Sequence, residues 1–118
     1  MPSNIVNAQD REGCTALYIA ASLGYKDIVE SLVEEFGAAL EIANVDGLTP
    51  LHAAAIARQY YLVNFFLSKH ANASATTSDG STLLHLLAEN LSSDRRERSE
   101  ERTDAENIIR KVVKDSAS

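Results

Sequence analysis

One stretch of this chain recurs three times, and its spacing limits the fold more than any other feature. The middle copy reads Asp46-Gly47-Leu48-Thr49-Pro50-Leu51-His52-Ala53-Ala54-Ala55. Upstream stands Asp10-Arg11-Glu12-Gly13-Cys14-Thr15-Ala16-Leu17-Tyr18-Ile19-Ala20-Ala21, and downstream Ser78-Asp79-Gly80-Ser81-Thr82-Leu83-Leu84-His85-Leu86-Leu87-Ala88. Gly13, Gly47 and Gly80 are 34 and 33 residues apart, and Thr15, Thr49 and Thr82 keep the same spacing. Self-similarity at such a period means a solenoid, because each unit buries its apolar face only against its neighbours.

The middle copy encodes a turn followed by a helix start. Gly47 tolerates positive φ, and Asp46 supports an Asx-type turn. Thr49 suits the N-cap, where its hydroxyl accepts an orphan backbone N–H. Pro50 falls at the first helical position, where a missing N–H costs nothing. Leu51 begins the buried face, and the alanines make a slim helix that another helix can approach closely.

With Gly-x-Thr-Pro-Leu-His at this period, the chain resembles the ankyrin-repeat family over residues 3 to 113, one insertion apart. The resemblance implies an all-α fold: a solenoid of three helix-turn-helix repeats joined by β-hairpin-like loops, with six helices in antiparallel pairs. The 118 residues are read as a single domain of three repeats, 10–43, 44–76 and 77–113, with an insertion at 91–102. Residues Ser3 to Gln9 align with the tail of an earlier repeat, and Val6-Asn7-Ala8 falls where the family has the descending arm of a hairpin. That alignment suggests an excerpt from a longer array, or an array without its polar N-terminal cap.

In repeat one, the first helix is expected from about Thr15 to Leu23, ended by Gly24 in the left-handed conformation. The second, Lys26 to about Glu35, would bury Ile28, Val29, Leu32 and Val33 and wet Lys26, Asp27, Glu30 and Glu34. An extra residue near Phe36-Gly37 accounts for the longer spacing. Repeat two pairs Leu62, Val63, Phe66 and Leu67 in the same way. Arg58 stands where the family has Gly, so local strain of about 1–2 kcal/mol is expected there. In repeat three, Leu87 replaces a small alanine. The charged run Leu91 to Arg102 is expected to be a solvated loop, with an extension of the following helix as the alternative, since Arg96–Glu100 and Arg98–Glu101 sit at helical spacing. Thr103-Asp104-Ala105-Glu106 reads as a capping box opening the displaced second helix, which would bury Ile108, Ile109, Val112 and Val113. Lys114 to Ser118 should fray. Arg95-Arg96-Glu97-Arg98-Ser99 also resembles a basophilic kinase site, a regulatory alternative for the insertion.

The chemistry-bearing residues are few. His52 and His85 match in adjacent repeats on helices about 8–10 Å apart, too far to share one metal easily. The family resemblance gives this His a structural role, bonded to the Thr and to neighbouring loop backbone. Cys14 has no adjacent His or Lys to lower its pKa and reads as an inert, partly exposed thiol. Thr82 and His85 resemble a nucleophile–base pair, but Thr49 and His52 repeat it where capping explains it. The glycines are isolated, so no phosphate loop is encoded. No enzyme, cofactor or metal site is expected.

The formal net charge of −6 argues against nucleic acid and anionic membranes as partners. No apolar run suggests a signal peptide or a membrane span. A lone cysteine points to a reducing compartment, hence a cytoplasmic location with the nucleus left open. The sequons Asn72-Ala73-Ser74 and Asn90-Leu91-Ser92 are then chance matches.

What remains is a surface. In the family, hairpin tips and the exposed side of each first helix form a concave groove for protein partners. By position the tips are Arg11, Glu12 and Cys14; Val45, Asp46 and Leu48; and Ser78, Asp79 and Ser81. The helix positions are Ser22 and Leu23, Ile56 and Ala57, and Glu89 and Asn90. Leu23, Leu48, Ile56 and Ala57 form an apolar strip flanked by Glu12, Asp46, Asp79 and Glu89, an apolar centre with a polar rim. Two functions follow. The chain is a stand-alone protein-binding module, or it is the ankyrin segment of a larger protein positioning an enzyme or channel. Ends without polar capping repeats also imply marginal stability and weak end-to-end self-association.

Overall fold

A computed structural model of the chain describes residues 3–93 and 99–117. Its helices are α1 (Ser3–Val6), α2 (Ala16–Leu23), α3 (Lys26–Glu34), α4 (Pro50–Ile56), α5 (Tyr60–Ser68), α6 (Leu83–Ser93) and α7 (Ser99–Ala117), and no strand occurs among the described residues. The architecture is the all-α repeat stack. Helices α2, α4 and α6 form one row, each packed on the next, and each pairs with its own second helix, α3, α5 or α7.

The local chemistry explains why the rows begin where they do. Thr15 and Thr49 are N-caps with extended backbones, accepting from the N–H of Tyr18 and His52. Pro50 opens α4. Gly24 closes α2 at φ +78°. Arg58 performs the same task after α4 at φ +61°, so it does take the left-handed conformation that costs a non-glycine residue. His70 does so too, at φ +67°. It follows α5 by two residues, whereas the matching Gly37 follows α3 by three, which locates the extra residue of repeat one.

Between the helix rows lies a continuous core. Leu17, Ala20 and Ala21 of α2 meet Leu51, Ala54 and Ala55 of α4, then Leu83, Leu86 and Leu87 of α6. Val29, Leu62, Val63, Phe66, Ala105, Ile108 and Val112 of the second helices close it from the other side. On the outer row, α3 and α5 are also tied by polar contacts. The Tyr61 hydroxyl donates to Glu30 Oε1 at 2.7 Å, Lys26 Nζ lies 4.6 Å from the Tyr61 ring centre, and Lys69 Nζ is 3.2 Å from Glu34 Oε1. Such exposed pairs contribute little individually.

Several expectations are corrected. Of the expected arm Val6-Asn7-Ala8, Val6 ends the helical turn Ser3–Val6, and Asn7 Oδ1 accepts from the Ala39 N–H. Ile28 is half exposed rather than buried. Val113 is likewise exposed, while Ala105 takes an unforeseen place in the core. The insertion is not a twelve-residue loop: residues 91–93 belong to α6 and 99–102 to α7, while 94–98, with Arg95 to Arg98 of the kinase-like site, lie outside the described residues. Thr103 is therefore inside α7 and does not open it. The same helix runs on to Ala117, through the residues expected to fray, and Ser118 is outside the described residues.

Candidate functional site

Three tips project from the helix stack, and each is closed by the same pair of backbone bonds. In the middle tip Asn44 N–H donates to Leu48 O at 2.9 Å and Gly47 N–H to Asn44 O at 3.0 Å. Asp10 with Cys14 and Gly13, and Thr77 with Ser81 and Gly80, repeat the arrangement. The side-chain acceptor that braces the middle turn is Asn44, whose Oδ1 receives the N–H groups of Asp46 and Leu48. Asp46 therefore does not supply the Asx turn expected of it. Asp10 Oδ1 does the same work in the first tip, accepting from Glu12 and Cys14. In the third, Thr77 and Asp79 share it: the Thr77 hydroxyl donates to Asp79 Oδ1, and Ser81 N–H points at both. That hydroxyl, followed by Ser81, holds the Asp79 carboxyl below its ordinary pKa.

Successive tips are joined main chain to main chain. Val45 N–H donates to Glu12 O, and Ser78 N–H to Asp46 O, both at 2.9 Å. Below the tips, His52 and His85 bond the threonines that open their helices. His52 is fully buried; its Nδ1 accepts from Thr49 N–H at 3.0 Å, and its Nε2 donates to Ala75 O at 3.1 Å. Those partners require the neutral ring with its proton on Nε2, and burial lowers the His52 pKa. His85 keeps the Thr82 contact, with Nδ1 accepting from Thr82 N–H at 3.0 Å. No metal-ligating cluster of His, Cys, Asp or Glu occurs among the described residues. Cys14 is buried, not partly exposed, and burial pushes its thiol pKa up.

A depression of about 350 Å³ opens between the second and third tips and the helices α4 and α6. Leu48, Ile56 and Leu86 form its apolar floor, and Asp46, Asp79 and Glu89 stand around it with Thr77, Ser78 and Ser81. Seven residues named from the sequence meet here: Asp46, Leu48, Ile56, Ser78, Asp79, Ser81 and Glu89. Thr77 and Leu86 were missed. The repeat pattern could have given Leu86, because Ile19 occupies the same place in α2 and Ala53 in α4.

The other named residues lie elsewhere. Arg11 and Glu12 are exposed on the first tip, and Val45 on the second. Ser22 turns its hydroxyl back to Ile19 O at 2.8 Å. Leu23, 55% exposed, ends α2, and Ala57 caps α4; neither lines the depression. Asn90 is not a groove residue at all. It is buried, and its side-chain amide donates to Ala55 O and to the Tyr60 hydroxyl.

Comparison with known proteins agrees with the repeat architecture. A family model described as ankyrin repeats, three copies, matches residues 2–79. The chain is 34% identical to BCL-6 corepressor-like protein 1 of Homo sapiens over 86 residues, 73% of this chain and 5% of that protein. It is 36% identical to NF-kappa-B inhibitor delta of Mus musculus over 83 residues, 69% of this chain and 25% of the relative. It is 35% identical to alpha-latrocrustotoxin-Lt1a of Latrodectus tredecimguttatus over 77 residues, 65% of this chain and 5% of the toxin. The chain thus spans a quarter or less of each of these relatives.

Proposed function

The chain belongs to the ankyrin-repeat family, and we propose that it is a non-catalytic module that binds a protein partner in the groove between its tips and first helices. The depression floored by Leu48, Ile56 and Leu86 carries this reading. An apolar floor with a polar rim, open along one side of a solenoid, suits a protein side chain inserted as an anchor. The acids Asp46, Asp79 and Glu89 favour a partner that sets basic residues around an apolar one. His52 is occupied in joining its helix to the next loop and His85 in bonding its own capping threonine, which supports a binding role over a catalytic one. No described helix is long and apolar enough to cross a membrane.

A second reading rests on the small share of each relative that the chain covers. In that reading the repeats are a segment of a larger protein and position an enzyme or channel carried elsewhere. Relatives named as a corepressor and an inhibitor fit the first reading, in which binding is itself the activity.

The test is Ile56→Glu, which places a charge on the depression's floor from a half-exposed position. Partners captured by the native chain should bind the variant at least tenfold more weakly, while Tyr61→Glu on the outer row leaves them unchanged. Equal loss with both variants, or with neither, moves the partner surface away from the groove.

A further inference from the structure

The depression between the second and third tips carries charge of one sign. Asp46 and Asp79 stand on its tip side and Glu89 on its helix side, and no lysine or arginine lines it. All three acids are exposed. Between them the floor is aliphatic, and Ile56 leaves about half of its surface, 49%, open to be covered.

The two aspartates keep a fixed relation to each other. Each is the third residue of its tip, counted from Asn44 and from Thr77, and the Ser78 N–H to Asp46 O bond joins the tips beneath them. The Thr77 hydroxyl and the Ser81 N–H hold the Asp79 carboxylate in place. The Asp46 carboxylate has no hydrogen-bond partner among the described residues.

These features discriminate between anchors. A purely apolar side chain covers the floor but desolvates the acids beside it without pairing them. A lysine brings one compact, strongly hydrated charge. An arginine meets both parts of the site: its methylene stem covers apolar surface, and its planar fork of five N–H donors pairs with carboxylates through more than one bond at a time.

We propose that the anchor is an arginine of a basic protein segment, its stem laid over Leu48, Ile56 and Leu86 and its guanidinium donating to the Asp46 and Asp79 carboxylates. This rests on the groove reading above and narrows it, because the apolar and the basic parts of the partner become one side chain. Glu89 faces further cations of the same segment, and binding weakens as salt is added.

Random twelve-residue peptides displayed on phage and selected on the purified chain test this. Peptides kept by the native chain and lost on Ile56→Glu are the groove binders, and they should share an arginine. In a synthetic copy of one of them, citrulline in place of that arginine keeps the shape without the charge and should weaken binding at least tenfold. Lysine there should weaken it at least threefold. Asp46→Asn, which breaks no hydrogen bond of the fold, should weaken the arginine peptide at least threefold and leave the citrulline peptide unchanged. Helical circular dichroism of both chain variants confirms that they fold. Groove binders with no shared arginine, a citrulline peptide as tight as its parent, or an Asp46→Asn chain that binds both peptides as the native chain does overturn the proposal and leave the groove reading standing. A native chain that keeps no peptide, or keeps only those that Ile56→Glu keeps equally, overturns both.

Discussion

The side-chain amide of Asn90 donates to the main-chain oxygen of Ala55 at 2.8 Å, joining the end of α6 to the end of α4. The same nitrogen reaches the Tyr60 hydroxyl at 3.2 Å, and Arg58 Nη1 donates back to Asn90 O at 3.2 Å. One buried side chain thus holds two repeats together at the edge opposite the tips. Replacing Asn90 with Ala leaves the Ala55 carbonyl and the Tyr60 hydroxyl without this donor. The expected cost is about 1–3 kcal/mol in urea unfolding. A loss under about 0.5 kcal/mol would show that the interlock does not form.

Gly47 and Gly80 share a positive φ but not their surroundings. A Cβ on Gly47 would stand 2.8 Å from Ser78 N, the donor of the link to Asp46 O, whereas nothing lies within 4 Å of one on Gly80. Both alanine variants incur strain of about 1–2 kcal/mol. Gly47→Ala must also push apart two tips, so its melting temperature should fall further than that of Gly80→Ala. Equal falls would mean that the tips yield freely.

His52 makes the fold sensitive to mild acid. Its pKa is lowered in the fold by burial, so the unfolded chain takes up a proton first as pH falls below the ordinary value of 6.5. The stability it contributes is complete above that value and declines as pH drops toward the folded pKa, with a slope of at most about 1.4 kcal/mol per pH unit. Thermal melts between pH 7.5 and 5 should show this decline, and His52→Gln should flatten it. An unchanged slope in the variant would assign the effect to other groups.

Cys14 should resist alkylation. Burial both hides the thiol and raises its pKa, and the thiolate is the reactive form. At pH 8 iodoacetamide should label the folded chain at least tenfold more slowly than the urea-unfolded chain. Comparable rates would place the thiol at the surface.

The reading from sequence succeeded where structure is fixed within a few residues. Thr15 and Thr49 cap because the hydroxyl, the turn and the following apolar residue are adjacent in the chain. It failed where a distant residue decides. Asn90 occupies a position that faces the groove in the family pattern, and only Arg58, Tyr60 and Ala55 of the preceding repeat draw it inward. Asp46 was credited with a brace that Asn44, two residues earlier, supplies. Around Thr103 a local capping-box pattern was read as a helix boundary, whereas the helix runs through it from Ser99. In the depression, Leu48 and Ile56 were legible from their places in the repeat, but the exclusion of Leu23 depends on packing that no local pattern encodes.

The links between tips, Val45 N–H to Glu12 O and Ser78 N–H to Asp46 O, use no side-chain atoms. Any amino acid except proline can donate at Val45 or Ser78, and any residue can accept at Glu12 or Asp46. The scaffold is thus indifferent to the identity of the side chains it displays there. Substitutions at these four positions can rewrite what the tips recognise while the connection beneath them stays intact, so this edge can change its vocabulary without changing its grammar.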